Sequence, residues 1–175
     1  PPPPFARNSW PADKVLVELI ENFRTTKGWP REDSKVSDVY EQDLMGFFRV
    51  PHKYGTHGLR VDRAVGFLLR ALTTLTLPPG THELLLRSRW EARLWINDER
   101  ILHLPRPSKK GGAHGNVPKI PQDWPSYLRI PGPGDEETRV KLVSKGEPLQ
   151  LRFETLVGEK SGKKKLRPDL GETLV

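Results

Sequence analysis

The stretch from Leu77 to Leu102 constrains the fold more than any other part of the chain. It opens with Pro78-Pro79-Gly80, where proline fixes φ and glycine accepts a positive φ, so the chain must turn there. His82, Leu84 and Leu86 then alternate with Glu83, Leu85 and Arg87. After a break at Ser88 to Trp90, Ala92, Leu94 and Ile96 alternate with Glu91, Arg93 and Trp95. A period of two is what a half-buried strand needs. Asn97-Asp98 supplies a two-residue hairpin turn, since both residues tolerate the left-handed region, and Ile101 and Leu102 return as the partner strand.

The flanking segments extend this pattern. Phe67 to Leu77 is a long apolar, threonine-bearing run that reads as a strand, and Gly46 to Val50 reads as another, ending at Pro51. A last hairpin is expected from Val140 to Val143, a Lys145-Gly146 turn, and Leu149, Leu151 and Phe153 alternating with Gln150, Arg152 and Glu154. His52 to Gly58 reads as a turn-rich loop. One helix is predicted: Asp13 to Arg24 carries Leu16, Leu19, Ile20 and Phe23 at i, i+3, i+4 and i+7 spacing, with Asp13 as cap and Gly28 and Pro30 closing it. Val36, Val39, Tyr40 and Leu44 also have helical spacing.

This predicts a mainly β chain, an antiparallel β-sandwich with one N-terminal helix and a long Pro/Gly-rich loop. The expected organisation is an extended lead and helix over 1–34, a sandwich over 35–157 with a loop insertion at 105–135, and a flexible basic tail over 158–175. Trp124 and Tyr127 are expected to pin the insertion to the body.

Composition narrows function. The chain has 175 residues and no cysteine, which excludes disulfides, thiolate metal sites and a cysteine nucleophile. No apolar run approaches the ~18 residues of a membrane span, and no signal peptide is present. The chain opens on four prolines, its one methionine is Met45, and it reads as a piece of a longer protein. The net charge of +7 concentrates in Lys163-Lys164-Lys165 and Arg167 and otherwise mixes with acids, so a solvated terminus is the expectation and nucleic acid is an unlikely partner.

Catalytic signatures are missing: no Gly-x-Ser-x-Gly elbow, phosphate loop or His-Glu-x-x-His. The spacing of His52, His57, His82, His103 and His114 matches no metal signature. Glu136-Glu137 is expected in a loop, where a raised-pKa acid is hard to shield from water. Lys109-Lys110-Gly111-Gly112 could cradle an anion, although no helix start follows it. A non-enzyme without cofactor or metal is expected.

The run Glu91-Ala-Arg-Leu-Trp-Ile-Asn-Asp resembles the hallmark hairpin, usually Arg-Leu-Trp-Ile-Asp-Gly, of the anthrax protective-antigen (PA-type) lectin-like domain family. Leu77 to Ser88 is similar to the strand that precedes it, and Lys145 to Glu154 to the closing hairpin; the clear match covers about a third of the chain. The resemblance implies a β-sandwich of the kind found in bacterial toxins, glycosidases, adhesins and cell-surface proteins, many of which bind carbohydrate. It implies an extracellular, periplasmic or cell-surface location. In adhesin-type members two consecutive aspartates before the hairpin help bind calcium; here Arg89 and Trp90 stand in their place, so a calcium-independent mode is expected.

The expected ligand-binding residues are Arg89, Trp90, Glu91, Trp95, Asn97 and Asp98, on the loop before the hairpin and at its tip. Trp95 falls out of phase with Leu94 and Ile96; either it stacks on a sugar or a protein, or both sheet faces are covered and it is core like its family counterpart. Trp90 is equally open to exposure or burial. The expected partner is a glycan or polysaccharide. Docking to other domains of the parent protein and polyanion binding through the basic tail are the alternatives.

Overall fold

The computed structural model describes residues 10–21, 23, 28–31, 33–61, 63, 66–106, 122–132, 134–158 and 170–175. Among them lie twelve strands and no helix. Six strands form one antiparallel sheet, in the order β2 (Asp38–Gln42), β1 (Val15–Ile20), β6 (Phe67–Thr76), β11 (Pro148–Val157), β8 (Ala92–Ile96), β9 (Glu99–Leu104). Four more, β10 (Glu136–Ser144), β7 (Gly80–Ser88), β12 (Thr173–Leu174) and β3 (Gly46–Phe47), form a second. A small hairpin of β4 (Lys53–Tyr54) and β5 (Arg60–Val61) stands apart.

One apolar core joins the two sheets. The larger sheet contributes Val17, Leu19, Leu69, Ala71, Leu94 and Phe153 from alternate positions, and the smaller contributes Leu86 and Phe47. Phe47 and Phe153 stack at 5.3 Å between ring centroids, 7° from parallel, across the space between sheets. This is the sandwich-like layering that the alternating strands imply.

The expected last hairpin does not form, because β10 pairs with β7 and β11 with β6 and β8, so the Lys145-Gly146 turn carries the chain from one sheet to the other. The Asn97-Asp98 hairpin follows the sequence closely. Asn97 and Asp98 have φ of 48° and 67°, the left-handed pair that a two-residue turn matching strand twist requires. Asn97 also tethers the turn to β11: its backbone N–H donates to the Gln150 carbonyl, and its side-chain oxygen accepts from the Gln150 N–H.

The expected helix over Asp13 to Arg24 is a strand instead. β1 is paired on both sides, with β2 and β6. Val15, Val17 and Leu19 face the core, while Ile20 packs on the other face with Leu68 and Leu156. A strand covered on both faces is apolar on both, and such a run can mimic a helical stripe. The β-branched Val15, Val17 and Ile20 were the available cue. Residues 15–20 therefore belong to the sandwich rather than to a separate lead. Val39 and Tyr40, also at helical spacing, lie in the edge strand β2.

Three further expectations change. His52 to Gly58 contains β4 and runs toward β5 rather than being loop throughout. Residues 170–175 are not tail: β12 inserts between β3 and β7, and Leu170 and Thr173 are buried. Tyr127 is exposed and pins nothing, whereas Trp124 donates to the Leu128 carbonyl and lies 4.7 Å beneath the Arg139 guanidinium. The basic run Lys163 to Arg167, and Lys109 to Gly112, lie outside the described residues.

Candidate functional site

Strand register lays a row of charge across the outer face of the six-stranded sheet. Glu18 pairs with Arg70, Arg70 with Glu154, Glu154 with Arg93, and Arg93 with His103. At one end of the row the charges are buried: Arg70 Nε donates to Glu154 Oε1 at 2.7 Å and Nη1 to Glu18 Oε2 at 3.3 Å. Glu18 Oε1 has no hydrogen-bond partner among the described residues. Burial pushes the Glu18 carboxyl above its usual range, against the pull of Arg70.

The sign of that shift makes a prediction. A carboxyl with a raised folded-state pKa contributes stability below its unfolded value of 4.5, and loses it as pH rises through the folded value. Glu18→Gln is therefore expected to be more favourable, relative to the native chain, at pH 7 than at pH 4. Denaturant midpoints of both proteins at the two pH values test this; a difference independent of pH contradicts it.

Toward β8 and β9 the row opens into a platform of two tryptophans and two arginines. Arg93 lies 3.9 Å over the Trp29 ring, and Arg152, beside Trp95 in the register, lies 4.2 Å over the Trp95 ring. Glu91 gathers the polar edge: its Oε1 accepts from Trp29 Nε1 at 2.8 Å and lies 3.5 Å from Arg93 Nη2 and 3.3 Å from His103 Nε2. Among the described residues, the buried Arg93 Nε and Arg152 Nε have no hydrogen-bond partner. Burial also lowers the Arg93 pKa, opposed by Glu91. The face thus offers flat aromatic surface and fixed positive charge, which can stack on a ring and attract oxygens.

Only part of the expected site converges here. Glu91 and Trp95 lie on this face, and Trp95 is half-buried outside the core, out of phase with Leu94 and Ile96. Arg89 and Trp90 precede β8 and Asn97 and Asp98 follow it, so the two groups sit about 20 Å apart along the strand. Trp90 is half-buried against the core. Arg89 turns to the second sheet, where its Nε meets Asp135 Oδ1 at 3.0 Å. A Cβ on Gly171 would come within 2.3 Å of that same oxygen, so only glycine fits there. Asn97 and Asp98 serve the turn.

Sequence reasoning missed Trp29 and Arg152. Trp29 reaches the platform from the long β1–β2 connection, and no periodicity links it to β8. Arg152 was legible as an outward residue of its strand, but its neighbour depends on β11 pairing with β8. Glu136 and Glu137 open β10 instead of lying in a loop, and Glu137 is bound by Arg87 and Arg139 at 2.7 and 2.8 Å, leaving it no role as a free acid. Among the described residues, no group of three or more His, Asp or Glu could hold a metal ion.

No protein-family model and no curated protein matches this sequence. Its fold is similar to part of a β-glucosidase from Kluyveromyces marxianus. For a selenomethionine-labelled structure the TM-score is 0.54 at 14% identity, covering 92% of this chain and 16% of that one. For the same enzyme's complex with glucose it is 0.51 at 16% identity, covering 81% and 14%. The chain spans about a sixth of those enzymes or less, and at such identity the likeness is one of fold: this chain is built like one portion of a much larger β-glucosidase.

Proposed function

We propose that this chain is a non-catalytic carbohydrate-binding module of the PA-type lectin-like kind, carried by a larger secreted or surface protein. The observation that carries the reading is the Trp29/Trp95 platform on a sandwich similar in fold to a segment of a β-glucosidase. Aromatic faces bind the C–H face of a sugar, and the Arg93 and Arg152 N–H groups would hydrogen-bond its hydroxyls. The reading is calcium-independent, supported by the Arg89 cation that pairs with Asp135 in the loop before the hairpin. The paired state of Glu137, the half-buried acid of the Glu136-Glu137 pair, supports a binding role over a hydrolytic one.

Affinity electrophoresis through gels containing soluble β-glucan, xylan, pectin or mannan tests this. At least one polymer is expected to retard the chain with or without a chelator, and Trp95→Ala is expected to remove about 1 kcal/mol or more of that binding. Equal mobility in every gel would defeat the reading.

A second reading, docking to another domain of the parent protein, is favoured by one segment. Phe48, Tyr54, Leu59 and Val61 are all exposed within 14 residues, on and beside the β4–β5 hairpin. Clustered exposed apolar side chains mark interaction surfaces.

A further inference from the structure

We infer that the cleft between the β1–β2 connection and the β4–β5 hairpin is a second binding site, for a single sugar unit bearing one carboxylate, a hexuronate. The cleft has a volume of about 460 Å³, within the range of about 300–1,000 Å³ typical of small-ligand sites. Its apolar wall is Ile20, Phe23 and Val36. Its polar wall holds a carboxylate that the fold has taken wholly out of water. The Glu21 side chain is fully buried, with Lys53 on one oxygen and Arg63 3.4 Å from the other. Arg63 in turn reaches Asp38 at 2.5 Å, so the hairpin and the edge strand β2 hold this wall in place.

The charges lining the cleft point to the ligand class. Glu21 and Lys53 neutralise one another, which leaves Lys35. Lys35 is exposed and makes no ion pair among the described residues. The Ser37 hydroxyl accepts from the Glu21 backbone N–H at 3.0 Å, which keeps its own proton free to donate, and Ser34 adds a second hydroxyl. A pyranose uronate carries a matching set: an apolar C–H face for Phe23 and Val36, hydroxyls for the serines, and one carboxylate for Lys35. A neutral hexose leaves the lysine unused. The cleft lies away from Trp95, since β1 and β8 are three strand spacings apart, about 14 Å, although Trp29 packs in the same apolar cluster as Phe23 and Val36.

The ligand class rests on the carbohydrate reading, but the site does not share its residues. NMR titration of the whole ¹⁵N-labelled chain with sodium glucuronate, glucose and sodium acetate tests it. Glucuronate is expected to give saturable shifts at Ser34 to Ser37 and Lys53, about tenfold tighter than glucose and lost to a similar factor in Lys35→Gln. Acetate is expected to give none that saturate. Trp95→Ala is expected to leave the glucuronate shifts unchanged. Saturable glucuronate shifts in a chain that no polysaccharide retards would support the cleft and defeat the platform. Three outcomes would overturn the cleft even where polymer binding persists: no saturable shift, equal response to acetate, or unchanged affinity in Lys35→Gln.

Discussion

Phe153→Ala is expected to lower the unfolding free energy by about 3–5 kcal/mol, the range for truncating a fully buried aromatic. Phe153 has no exposed surface and sits at the middle of β11, which pairs with β6 on one side and β8 on the other. Its ring stacks on Phe47, which comes from the other sheet on a strand of only two residues. Removing it opens a cavity and also releases the main apolar anchor of β3. β12 pairs with β3, so the loss should spread to the C-terminal strand. Domains of this size are stable by only about 5–15 kcal/mol, so the variant should show a large fall in urea midpoint. Hydrogen exchange should be fastest at residues 46–47 and 173–174. An unfolding free energy within about 1 kcal/mol of the native value would mean the sheets do not depend on this contact.

Replacing Arg70 with methionine should be as damaging by a different route. The guanidinium is the cation between Glu18 and Glu154, and all three residues are buried. Breaking a buried ion pair by removing one partner costs about 3–5 kcal/mol, because the remaining charge is left without compensation. Here two carboxylates are left. A triple variant with Glu18→Gln and Glu154→Gln added should recover much of that loss, since no charge then stays buried. Chemical denaturation of the single and triple variants decides it. Equal stability of the two would mean that packing, not charge, holds this part of the sheet.

The turns at Pro79-Gly80, Asn97-Asp98 and Lys145-Gly146 were legible because each depends on local chemistry, but the pairing across them was not: Asn97-Asp98 closes a hairpin, whereas the other two carry the chain from one sheet to the other. The first strand was not legible. Val15 to Ile20 is covered on both faces, so its pattern carries no clear period of two, and its Leu16, Leu19 and Ile20 happen to fall, with Phe23, at helical spacing. The same limit applies to β12. Thr173 and Leu174 gain their strand character from β3 and β7, which lie more than 80 residues away in sequence.

The site divides along the same line. Alternation put Trp95 and Arg93 on one face, opposite Leu94 and Ile96, but left open whether that face was covered. What they touch could not be read, since Trp29 and Arg152 arrive through pairing and packing of distant segments. Arg89 and Trp90 were grouped with Asn97 and Asp98 by nearness in sequence. A strand of five residues separates nearness in sequence from nearness in space, and it carried the two pairs to opposite ends.

The central claim is that the platform of Trp29 and Trp95, each paired with an arginine, faces a sugar, and intrinsic tryptophan fluorescence titrated with the polysaccharide that retards the chain tests it most directly. A saturable change in the native protein, unaffected by chelator and lost in Trp95→Ala with the fold intact by circular dichroism, is the predicted result. A native-size change that persists in Trp95→Ala would place the sugar elsewhere and contradict the account.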